Sequence, residues 1–123
     1  MVCILVIDDD QQLRLLFRQL LERAGYEVVE ASDGCEGVQC FQARPMDLVI
    51  TDLLMPKQNG FETIRMLQTL APSLKIIAVS GGGTQGSSDV LHVAAALGAH
   101  RTLQKPVRLQ DLLGAVQQLL AEP

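Results

Sequence analysis

Short apolar runs alternate along the chain with longer segments in which apolar residues recur every three or four positions. Residues 2–7 (VCILVI) are apolar, rich in β-branched side chains and stopped by Asp8-Asp9-Asp10, which predicts a buried strand. From Leu13 the apolar positions are 13, 16, 17, 20 and 21, the stripe of an amphipathic helix, and Gly25 closes it. Residues 27–31 predict a second, shorter strand. Ser32-Asp33-Gly34 is turn or cap chemistry before a weaker helix through Val38 and Phe41, which stops ahead of Pro45. Residues 46–51 predict a third strand, its Leu48-Val49-Ile50 buried on both faces. Pro56 with Asn59-Gly60 marks a loop, and the next helix carries Phe61, Ile64, Leu67 and Leu70 and ends at Pro72. Residues 75–79 predict a fourth strand. A glycine-rich loop, residues 80–86, follows, then a helix through Val90, Val93, Ala94 and Leu97 that Gly98 terminates. Residues 101–104 form a brief fifth strand, and Leu109, Leu112, Leu113, Val116, Leu119 and Leu120 give the cleanest helical stripe in the chain.

Five strands alternating with five helices imply a doubly wound α/β fold, because each right-handed crossover returns a helix to one face of a parallel sheet. A dinucleotide fold wants G-x-G-x-x-G after its first strand, where this chain has three aspartates. The expectation is therefore the flavodoxin-like strand order 2-1-3-4-5, which sets strands one and three side by side.

Composition narrows the classes of function. At 123 residues with 48% hydrophobic side chains, the chain has the length of one domain with a full core. Its 14 acidic and 10 basic residues give a net charge of -4, and the bases are scattered rather than gathered. With one Tyr, three Phe and no Trp, neither a basic patch nor a stacking platform for nucleic acid is visible. The apolar start is too short for a signal peptide or a membrane span, so a cytoplasmic protein is expected. Cys3, Cys35 and Cys40 lack C-x-x-C spacing and are expected to be reduced packing residues. His92 and His100 have no partner at helical spacing and read as an exposed helix residue and a turn residue.

The chemistry lies at the carboxyl ends of the strands, where parallel α/β sheets bind ligands. Neighbouring strands are about 4.8 Å apart, so Asp8 or Asp9 is expected close to Asp52, with Ser80 one strand further and Lys105 two. Two carboxylates at about 5 Å repel by roughly 3 kcal/mol at an effective dielectric near 20. Such a cluster calls for a cation. Hard oxygen ligands with room for water suit Mg²⁺, or Mn²⁺. A divalent ion beside a carboxylate, a hydroxyl, an ammonium and a glycine-rich backbone is suited to phosphoryl transfer, whose transition state needs positioning and charge neutralisation. Asp52 is then the nucleophile, Asp9 binds the metal, Asp8 holds metal-bound water, Ser80 and Lys105 meet phosphoryl oxygens, and Gly81 offers its backbone N–H. Other readings of single residues are blander. Asp10 reads as a helix cap, Lys57 as loop surface, and the loop at 81–86 lacks the Lys-Ser/Thr of a nucleotide-binding P-loop.

ILVIDDD at 4–10, DLLMPKQNG at 52–60, AVSGG at 78–82 and LGAHRTLQKP at 97–106 together resemble the receiver domains of two-component response regulators, over nearly the whole chain. The resemblance implies that Asp52 is the phosphoacceptor, Asp8 and Asp9 the acidic pair, and the carbonyl of Leu54 a further metal ligand. It also implies that Ser80 is the switch hydroxyl and that Lys105 is the site's base, followed by a cis peptide to Pro106. By the same likeness, residues 1–123 are expected to be a stand-alone receiver without an output domain. Its phosphoryl group would come from a phosphohistidine of a sensor kinase or phosphotransfer protein, and its chemistry would be limited to its own phosphorylation and dephosphorylation. Signalling is expected through the face made by the fourth helix, fifth strand and last helix, where Arg101 and Arg108 lie, or by phosphorelay.

Two departures stand out. Receivers usually carry Tyr or Phe three residues before the lysine, where this chain has Thr102, and Gly81 to Gly83 predict an unusually mobile loop. An interaction module working without phosphorylation is one alternative. An aspartyl-phosphate phosphohydrolase is another, but its Asp-x-Asp-x-Thr/Val pattern fails at Gln12.

Overall fold

A computed structural model of the chain describes residues 1–53, 60–80, 92, 94, 95 and 97–122. Each apolar run becomes a strand: β1 (Cys3–Ile7), β2 (Glu27–Ala31), β3 (Leu48–Asp52), β4 (Lys75–Ser80) and β5 (Arg101–Gln104). They pair in parallel in the order β2-β1-β3-β4-β5, the expected topology. Four helices are continuous among the described residues: α1 (Gln11–Arg23), α2 (Gly34–Ala43), α3 (Gly60–Leu70) and α4 (Leu109–Ala121). The helix expected through Val90 and Val93 falls largely outside the described residues, although His92, Ala94, Ala95 and Leu97 are helical.

Side chains alternate along each strand, so the sheet divides the core into two layers. Leu5, Ile7, Val49, Ile76 and Ala78 pack with Val38 of α2 and with Ile64 and Leu67 of α3. Ile4, Val6, Leu48, Ile50, Ile77 and Val79 pack with Phe17 and Leu21 of α1 and with Leu112, Val116 and Leu119 of α4. Every residue of β1 and β3 is buried, which is why those runs are continuous rather than alternating. Each such aliphatic side chain contributes about 1.5–3 kcal/mol of burial.

Helix ends follow local chemistry. Asp10 caps α1 by accepting from the backbone N–H of Gln12 at 3.0 Å and of Leu13 at 3.2 Å. Gly25 leaves α1 at φ 97°, a left-handed backbone that favours glycine. At α2 the Asp33 carboxylate accepts from Glu36 N–H at 2.8 Å, while the Glu36 carboxylate accepts from Ser32 N–H at 2.7 Å.

Two expectations need correction. Leu16 is 43% exposed, because it lies at the margin of the α1 stripe where Leu13, Phe17, Leu20 and Leu21 make the contact with the sheet side. Cys35 is exposed on the first turn of α2, so of the three free cysteines only Cys3 is buried and Cys40 half-buried. Cys3 Sγ lies 3.3 Å from Met46 Sδ.

Candidate functional site

Among the described residues, the ends of the strands bring the predicted Asp8, Asp9, Asp52, Ser80 and Lys105 to one sheet edge. β1 ends at Ile7, so Asp8 is the first residue beyond it, while β3 and β4 end on Asp52 and Ser80 themselves. Ser80 is paired with Gln104, and the Lys105 N–H donates to the Ser80 carbonyl at 2.8 Å. The Lys105–Pro106 peptide is cis, as the resemblance implied.

Asp8, Asp52 and Ser80 are buried, whereas Asp9 is exposed. The Lys105 ammonium sits between the two buried carboxylates, 3.2 Å from Asp8 Oδ2 and 3.3 Å from Asp52 Oδ2. One carboxylate oxygen from each of Asp8, Asp9 and Asp52 lies within 4.8 Å of the others. Burial pushes the Asp8 carboxyl above its ordinary range, and the neighbouring Asp52 adds to this against the lowering by the Asp10 N–H and Lys105. Burial alone would lower the Lys105 ammonium, but the charges of Asp52 and Asp8 outweigh it and hold it above its ordinary value. Three hard oxygen donors in reach of one point, two of them buried, fit a small divalent cation such as Mg²⁺.

The turn carrying the acidic pair is tied down from several sides. Asp8 N–H donates to the Ala31 carbonyl of β2 at 3.1 Å, and Asp10 N–H donates to Asp8 Oδ1 at 2.8 Å. Arg14 donates through Nη1 to the Asp8 carbonyl at 2.7 Å and through Nε to Glu30 Oε1 at 3.1 Å. Arg18 donates to the other Glu30 oxygen at 2.8 Å. On the far side of the site, Gly60 N–H donates to the Leu53 carbonyl at 2.9 Å. A β-carbon at Gly60 would sit 2.6 Å from Leu53 Cα and closer still to the Asp52 carbonyl oxygen.

Arg14 and Gly60 are the site residues that pattern reading overlooked. Arg14 and Arg18 stand four apart on one helix face, which signals a shared acidic partner but does not name Glu30 on another element. Gly60 reads as loop punctuation until its closeness to β3 is seen. Leu54 and Gly81 lie outside the described residues, as do Lys57 and the loop at 81–86.

The remaining candidates make other contacts. Thr102 is half-buried on β5 opposite Ala78, and Arg101 pairs with Glu122 at 3.6 Å. His92 is exposed. His100 is a turn residue with a structural bond: its Nδ1 accepts from Ile76 N–H at 3.1 Å, and its own N–H donates to the Ile76 carbonyl at 2.7 Å. A cleft of about 470 Å³ between α2 and α3 is lined by Val38, Met66 and Leu70 and rimmed by Glu62 and Arg65, with none of the acidic site residues in its wall. Among the described residues no helix is long and apolar enough to cross a membrane.

Residues 4–117 match the family model described as response regulator receiver domain. The chain is 31% identical to the response regulator receiver protein CpdR of Brucella abortus (strain 2308), over 95% of each chain. It is 35% identical to the DNA-binding transcriptional regulator NtrC of Rhizobium meliloti (strain 1021), covering 98% of this chain but about a quarter (24%) of that longer relative. A crystal structure of a receiver domain protein from Clostridium thermocellum superposes with a TM-score of 0.89 at 35% identity, covering 98% of this chain and 94% of that one.

Proposed function

Because the chain belongs to the response regulator receiver domain family of two-component signalling, we propose that it is a phosphoacceptor that takes a phosphoryl group on Asp52 from a phosphohistidine of a sensor kinase or phosphotransfer protein. The observation that carries this reading is the Lys105 ammonium lodged between Asp8 and Asp52, with Asp9 beside them at the same sheet edge. A buried carboxylate held by a cation is a nucleophile with its charge partner already in place.

In the proposed transfer an Asp52 carboxylate oxygen attacks phosphorus. The bond to the donor imidazole breaks, its electron pair leaving with the ring, and an acyl phosphate forms on Asp52. Lys105 pairs with one phosphoryl oxygen, the Ser80 hydroxyl donates to another, and the Gly81 N–H serves a third. Asp8, Asp9, Asp52 and the Leu54 carbonyl would hold Mg²⁺ or Mn²⁺, which when bound supplies neutralisation of the phosphoryl charge. Attack of water on phosphorus then breaks the bond to Asp52, releases inorganic phosphate and returns the carboxylate, so the chemistry stays with the protein's own phosphorylation state. The signal then leaves by contact with a downstream protein, or by passage of the phosphoryl group onward.

The test is labelling by acetyl phosphate in the presence of Mg²⁺, read by intact mass. Wild type is expected to gain a phosphoryl group and Asp52→Asn none; equal labelling of the two would overturn the assignment. Thr102, in place of the family's usual ring, favours one second reading, an interaction module that works without phosphorylation. Unaltered affinity of a captured partner for Asp52→Asn would support that reading.

A further inference from the structure

Asp9 is the exposed member of the acidic cluster, and among the described residues no donor holds its carboxylate. With no such donor, the space that carboxylate can reach is limited by the position of its backbone, and above all by the peptide plane joining Asp8 to Asp9. The oxygen of that peptide accepts from Arg14 Nη1 at 2.7 Å. Arg14 is itself immobilised: its side chain is 14% exposed, its Nε donates to Glu30 Oε1, and Glu30 is gripped on its other oxygen by Arg18. A planar guanidinium reaches both acceptors in one fixed fork, a geometry that a lysine ammonium does not reproduce.

We propose that Arg14 is a positioning residue for the divalent cation site: by clamping the Asp8–Asp9 peptide to Glu30 of β2, it aims the Asp9 carboxylate at the metal. The inference rests on the reading of Asp8, Asp9 and Asp52 as ligands. Groups that orient a ligand from outside its contact shell typically change metal affinity by about 10- to 100-fold when removed.

The experiment is a Mg²⁺ binding isotherm without phosphodonor, followed by amide chemical shifts, on wild type, Arg14→Met, Arg14→Lys, Glu30→Gln and Arg44→Met. Arg14→Met is expected to weaken Mg²⁺ binding on the order of 10- to 100-fold. Arg14→Lys and Glu30→Gln should weaken it less, since each keeps one half of the clamp. Arg44→Met, which removes the pair with Glu27 at the opposite end of β2, should leave it unchanged. With acetyl phosphate, the Arg14→Met defect should appear in the Mg²⁺ concentration for half-maximal rate and vanish at saturating Mg²⁺, a split that general loosening of the fold would not produce. Wild-type Mg²⁺ affinity in a folded Arg14→Met overturns the proposal. If Arg14→Met does not fold, wild-type affinity in both Arg14→Lys and Glu30→Gln overturns it instead. Absence of Mg²⁺ binding by wild type would overturn the reading of the acidic cluster, and the proposal with it, a result distinct from the others.

Discussion

Asp8 is expected to fold better as a neutral side chain. It is 2% exposed and faces a second carboxylate, and burial raises its pKa despite the Asp10 N–H and Lys105. A folded-state pKa above the unfolded value means that protonated Asp8 is compatible with folding, whereas ionised Asp8 subtracts stability as pH rises through the folded value. Asp8→Asn keeps an oxygen for the Asp10 N–H and removes the charge. It is expected to raise stability at pH 7 by about 1 kcal/mol, with the gain disappearing below about pH 4, where the unfolded carboxyl is also protonated. Mg²⁺ binding should be lost in the same variant. Urea midpoints at several pH values check this, and an unchanged or lower midpoint at pH 7 would show that pairing with Lys105 outweighs the cost of burial. Asp8, Asp9, Asp52, Ser80 and Lys105 were legible in the sequence because each stands at the end of a predicted strand, and strand order then brings them together. The Arg14 clamp was not legible. It joins residues 16 apart through a backbone carbonyl and a glutamate on another element, and no periodicity carries that information.

At the scale of elements, the start of α3 leans directly on the end of β3. Gly60 lacks the β-carbon that would collide with the Asp52 carbonyl and Leu53 Cα, so its role is close approach of two backbones. Gly60→Ala is expected to cost about 1–3 kcal/mol by overpacking and to slow acetyl phosphate labelling, because the strand end bearing Asp52 must shift. Denaturant unfolding together with labelling rates checks both; wild-type values in both would mean that α3 can retreat freely. The strands at 27–31 and 101–104 were legible to the residue, since turn residues flank them on both sides. β3 begins at Leu48 rather than Met46 because Asp47 is diverted. Its Oδ2 accepts from Cys3 N–H at 2.8 Å, and its own N–H donates to the Cys3 carbonyl at 2.8 Å, a pairing with β1 that local composition does not announce.

At the scale of the whole molecule, the sheet is a partition. Ile64 belongs to the layer under α2 and α3, and Val116 to the layer under α1 and α4, both fully buried and on opposite faces. Substitutions on the two sides share no neighbours, so Ile64→Val and Val116→Ala should each destabilise by on the order of 1 kcal/mol and together by their sum within about 0.5 kcal/mol. Urea unfolding of the two single variants and the double variant checks this. A larger discrepancy would show the sheet passing strain from one layer to the other. The two-layer arrangement was readable from the continuous apolar runs, but which helix covers which face came from the strand order. The cysteines show the same partition in miniature. Burial holds the Cys3 and Cys40 thiols above their ordinary pKa, whereas Cys35 stands open on the first turn of α2. A maleimide dye added at neutral pH therefore meets one accessible sulfhydryl first, and the unaltered protein carries a built-in attachment point for a fluorescent reporter.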